Sequence, residues 1–73
     1  MTLAQRQEIG RRLAAFRGIR SLAWVSDSTG LDPTLLSRWE HGKRRIGLDE
    51  FLLLLTTYRV TPAQFFRRWR MAP

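Results

Sequence analysis

Ser21 to Gly42 reads SLAWVSDSTGLDPTLLSRWEHG, two short helical stretches around a tight turn. Gly30 stands where a left-handed residue closes the first helix, because it lacks the Cβ that makes positive φ costly. Asp32 offers a carboxylate to the orphan N–H groups of the second helix. Pro33 falls at its first position, where a missing N–H does no harm. Leu36 and Trp39, three apart, give this second helix a buried stripe, and Thr34, Ser37 and Arg38 lie on the other side. The helix then runs into Gly42-Lys43-Arg44-Arg45. A polar-faced helix leading into a cationic loop has the make-up of a DNA-reading element.

The remaining composition narrows the class. The chain has 73 residues, which allows one domain, and no Cys, so the fold must come from apolar packing alone. Its longest apolar run, residues 51–55, falls far short of the about 20 residues that cross a bilayer. The first ten residues carry Arg6 and Glu8 instead of the apolar core of a signal peptide, so the expected location is cytoplasmic, with no membrane partner. The net charge is +7, and Lys43 is the one Lys among 13 basic residues. Arginine presents a planar fork suited to phosphate and guanine edges. A codon bias toward arginine explains the choice equally well, but the size of the charge favours a polyanionic partner or surface.

Working outward, residues 3–17 read as a first helix capped by Thr2, with Ile9, Leu13 and Phe16 on one face. Gly18-Ile19-Arg20 is the connection, with Ile19 expected to tuck into the core. Ser21 caps a helix over 22–29, in which Val25 faces inward, Ser26 marks a close crossing, and Trp24 covers either the core or a partner. The helix over 33–40 follows, with Leu35 at its edge. A fourth helix, 48–58, starts with Asp49 and Glu50 against its dipole. Leu48, Phe51, Leu55 and Tyr58 are expected inward. Leu52, Leu53 and Leu54 widen the stripe, so this helix either is buried on two sides or meets another subunit. Thr61-Pro62 opens a fifth helix over 62–70, where Phe65 fits the core and Phe66, Trp69 and Met71 form an apolar patch among arginines.

The run VSDSTGLDPTLLSRWEHGKRR, residues 25–45, resembles the phage-repressor and Cro (XRE-like) type of helix-turn-helix. Val25, Ser26, Gly30, Asp32, Leu36 and Glu40-His41-Gly42 carry the likeness, which extends from Ile9-Gly10 to about Phe65. The resemblance implies an all-α, compact five-helix bundle that acts as a homodimeric transcriptional repressor on double-stranded DNA. It assigns Pro33, Thr34, Ser37 and Arg38 to base edges in the major groove. Arg17, Ser21, Leu35 and His41, with Lys43, Arg44 and Arg45, then meet the DNA backbone. It also implies an Arg17–Glu40 pair, whose alternative is an exposed Arg17 complementing its helix C-terminus. Family members pair through C-terminal helices, which gives Phe66, Trp69 and Met71 a dimer interface. Three features depart from the pattern: the short connection at 18–20, Leu22 where a polar residue is common, and Asp32, whose carboxylate repels phosphate unless it stays engaged as a cap or accepts from cytosine.

Catalysis finds little support in the residues. Ser37 and His41 are four apart on one helix, but no third group orients them, and a single His offers no metal site. No cofactor is expected. The rival function is an interaction or antitoxin-type module that binds a small partner protein through the C-terminal aromatic patch.

Overall fold

Each helix starts at a residue suited to its open N-terminus. In the computed structural model, which describes residues 1–70, α1 (Leu3–Arg17) begins at Thr2 in a capping box. The Thr2 hydroxyl accepts from the Gln5 N–H at 3.1 Å, and the Gln5 side chain accepts from the Thr2 N–H at 2.8 Å. Ser21 caps α2 (Leu22–Thr29) by accepting from the Trp24 N–H at 3.0 Å. Asp32 caps α3 (Pro33–Glu40), with Pro33 in the first turn. Gly47 precedes α4 (Leu48–Tyr58), and Thr61 and Gln64 form a second capping box on α5 (Pro62–Phe65). The described residues contain five helices and no strand.

These helices enclose one core. Val25 from α2, Leu36 and Trp39 from α3, Ile9 and Leu13 from α1, and Phe51, Leu54, Leu55 and Tyr58 from α4 are buried together with Phe65. Phe65 ties the C-terminal segment down: its ring meets Phe51 edge-on at 4.9 Å and stacks on Phe16 at 5.7 Å. Helices α1 and α2 both pack on α3, and α2 also packs on α4. The result is a small all-α five-helix bundle. None of its described helices is long and apolar enough to cross a membrane.

Three expectations need correction. The fifth helix ends at Phe65 instead of running to 70, because the chain turns at 66–68 and Arg68 takes a positive φ of 59°. Arg12 holds that turn from α1, donating to the Phe65 carbonyl at 2.6 Å and the Arg67 carbonyl at 2.8 Å, which diverts both from a helical ladder. Leu54 is inside at 1% exposure while Leu48, at the first turn of α4, is outside at 70%. The inward stripe of α4 thus runs through Phe51, Leu54, Leu55 and Tyr58, at spacings of three, one and three. Ile19 does not tuck in. It is fully exposed, because the Gly18 turn at φ 63° and the Arg20 side chain, bonded to the Phe16 and Arg17 carbonyls, close the connection without it.

The expected C-terminal patch is also smaller than its composition suggested. Phe66 packs on Phe51 and Phe65, and Trp69 meets Phe66 edge-on at 5.3 Å and takes the Arg12 guanidinium on its face. Trp69 is half-buried against this chain's own core, so much of its ring is already covered. Met71 lies outside the described residues.

Candidate nucleic-acid interface

The turn between α2 and α3 sets the geometry of the site. Gly30 sits at φ 78°, ψ 5°, the left-handed conformation, and its N–H closes α2 on the Ser26 carbonyl at 2.7 Å. One carboxylate oxygen of Asp32, Oδ1, then accepts from the N–H groups of Thr34 at 2.7 Å and Leu35 at 3.4 Å. With Leu36 and Trp39 buried, the opposite side of α3 faces outward: Pro33, Thr34 and Arg38 are exposed, and Leu35 and Ser37 are half-buried.

The cationic loop is anchored to this helix by its backbone. The Lys43 N–H reaches back to the Arg38 carbonyl at 2.9 Å, and the Gly42 N–H to the Trp39 carbonyl at 3.1 Å. Gly42 has φ 67° and is buried against α1, where a Cβ would stand 2.8 Å from the Gln7 Cα. Glycine is therefore required on two counts, conformation and space. Lys43, Arg44 and Arg45 emerge from that fixed point exposed, and neither they nor Arg38 form an ion pair among the described residues. Arg44 folds back far enough to line one recess of about 240 Å³ with Asp32, Thr34, Leu35 and Arg38. Loop and helix thus share a surface.

Behind that surface, α1 and α3 are locked together. Gly10 lies under the last turn of α3, where a Cβ would overlap the carbonyl oxygens of Trp39 and Glu40. Arg17 and Glu40 form a two-pronged pair, Nε to Oε2 at 2.7 Å and Nη2 to Oε1 at 3.0 Å. The Glu40 carboxylate raises the pKa of Arg17 above its ordinary value. Arg17 also donates Nη1 to the Arg20 carbonyl at 2.6 Å, so a guanidinium expected at a phosphate is instead largely occupied in holding α3. Tyr58 lies behind this pair, and burial, reinforced by the Glu40 charge, pushes its phenol upward.

Two other expected backbone groups keep part of their capacity. The Ser21 hydroxyl accepts from Trp24 and retains its own proton to donate. His41, exposed at the end of α3, pairs Nδ1 with the Ser37 carbonyl at 2.8 Å, so Nδ1 carries the proton and Nε2 stays open. That bond goes to the backbone of Ser37 and not to its hydroxyl. Sequence reasoning missed Arg20, whose guanidinium lies 5.2 Å from the Trp24 ring centre and 5.0 Å from that of Tyr58. It bridges α2 and α4. The available signal was the Arg20–Trp24 spacing of four, across a helix start that obscured it.

No protein-family model matches this chain, and no match was found among curated proteins or solved structures.

Proposed function

We propose that this chain is a sequence-reading DNA-binding protein of the repressor/Cro helix-turn-helix type, acting in the cytoplasm as a homodimeric transcriptional repressor. The observation that carries the reading is the joint surface of α3 and the loop after it. Thr34, Ser37 and Arg38 are uncovered to differing degrees, and three cations with no ion pair among the described residues stand at the helix end. In a major groove, Arg38 donates to the two acceptors of guanine, and Thr34 either hydrogen-bonds an edge or sets its methyl on that of thymine. Pro33 and Leu35 supply apolar contact. Lys43, Arg44, Arg45 and the Ser21 hydroxyl meet phosphates, with His41 packed beside the backbone at the helix end, and these contacts position the helix without reading sequence. Arg17 acts through Glu40 by keeping α3 in place.

Two such chains about a two-fold axis present their α3 helices to successive major grooves about 34 Å apart, so the operator is pseudo-palindromic. The exposed side chains of Leu48, Leu52 and Phe66 provide apolar area for pairing. Titration against genomic fragments at two salt concentrations, followed by footprinting of any preferred fragment, tests the proposal. Two protected patches one helical turn apart are expected. Equal binding of all fragments, abolished by salt, counts against sequence reading.

A further inference from the structure

We infer that a recess between α1 and the α4–α5 junction binds a short acidic peptide that carries a large apolar side chain among its carboxylates. The recess holds about 300 Å³ and is lined by Phe16, Arg59, Val60, Gln64 and Arg67. It shares no residue with the surface assigned to DNA, and the inference does not rest on that assignment.

Its apolar part is packed against the core. Phe16 stacks on the fully buried Phe65, and Val60 is packed against the core. The polar side chains around it are donors. Arg59 and Arg67 are exposed and form no ion pair among the described residues, and no carboxylate lines the recess. Gln64 has already committed its oxygen to the Thr61 N–H at 2.9 Å, which leaves the amide NH₂ as its remaining group. The backbone from which the two arginines extend is fixed. Arg59 closes α4 in the left-handed conformation at φ 58°, a position where glycine is the unstrained choice, and the Arg67 carbonyl is held by Arg12.

Exposed donors with no carboxylate beside them favour an anion over a neutral ligand, and guanidinium forks match carboxylates. The apolar floor requires a hydrocarbon group beside that anion. A carboxylate-rich peptide with an aromatic or branched aliphatic side chain meets both demands. A duplex backbone supplies charge but nothing to fill the floor.

The test uses a fluorescein-labelled glutamate-rich peptide with one central phenylalanine, at physiological salt, with anisotropy as the readout. The same peptide with serine at the centre tests the floor, and a labelled oligothymidylate serves as the nucleic-acid arm. The phenylalanine peptide is expected to bind and the serine peptide to bind more weakly. Arg59→Gly and Arg67→Ala are each expected to weaken binding about tenfold, the scale of one charge-assisted hydrogen bond. Arg59→Gly relieves a left-handed residue, so its melting temperature should be unchanged or higher and lost binding cannot be ascribed to unfolding. The inference is overturned if the phenylalanine peptide fails to bind, if both peptides bind equally, or if Arg59→Gly binds as tightly as the unaltered chain. It is also overturned, in favour of a single-stranded nucleic acid, if oligothymidylate binds more tightly than the peptide and loses that binding in Arg59→Gly.

Discussion

Arg38 and the three loop cations are expected to separate cleanly when tested singly. Arg38 is exposed on the outward side of α3, and under the proposed function its guanidinium reads base edges. Arg38→Ala should cost about 1–3 kcal/mol on the preferred site and far less on scrambled duplex, measured as the ratio of the two dissociation constants. Lys43→Ala, Arg44→Ala or Arg45→Ala should weaken both duplexes alike. Each should also reduce the slope of log K against log salt by about 0.9. Gly10 is a purely structural counterpart. A methyl there overlaps two carbonyl oxygens of α3, so Gly10→Ala should destabilise by about 1–3 kcal/mol, read as a lowered melting temperature. At this scale Asp32, Pro33, Gly30 and Ser21 were legible in the sequence because each acts locally, on N–H groups or on its own φ. Ile19 was not, since whether one apolar side chain in a three-residue connection turns inward depends on what else closes the turn. Here Arg20 closes it.

Between elements, the Arg17–Glu40 pair is the main joint of α1 with α3. The Arg17 side chain is 21% exposed, so the guanidinium charge left without its carboxylate partner is only partly reached by water. Glu40→Gln should therefore destabilise by about 2 kcal/mol in urea unfolding. It should also weaken specific and scrambled duplexes together if the helix loosens. The Glu8 cluster is a weaker joint. Hydrogen bonds from Arg12 first, then Arg11, hold the Glu8 carboxyl below its ordinary pKa. A depressed carboxylate contributes stability above the unfolded-state value, and that contribution is lost as pH falls through the folded-state value. Because Arg11 is largely exposed, Glu8→Gln should lose only about 0.5 kcal/mol near neutral pH. The difference from the unaltered chain should vanish in acid. Helices α1 to α4 were readable from caps and spacing. The end of α5 was not, because Arg12, more than fifty residues earlier, captures the carbonyls of Phe65 and Arg67. Leu48, expected inward, stands outside for a related reason: a run of leucines satisfies several registers, and only the packed neighbours choose one.

Over the whole molecule, charge is unevenly committed. Glu8 and Glu40 neutralise arginines of α1, whereas Arg38 and the loop after α3 keep their full charge toward solvent. A polyanion approaching this chain therefore meets a fixed cationic edge beside an uncovered polar helix. The candidate site was legible in composition and order, since Lys43-Arg44-Arg45 follow directly on the capped helix. Its depth was not: only folding brings Arg44 back beside Asp32 and Thr34. The most direct test is selection of binding sites from a randomised duplex pool by the unaltered chain and by Arg38→Ala in parallel. We predict that the unaltered chain enriches an inverted repeat with half-site centres about 34 Å apart, and that Arg38→Ala loses a guanine from each half. Enrichment of no common site, or of the same site by both proteins, would contradict the account.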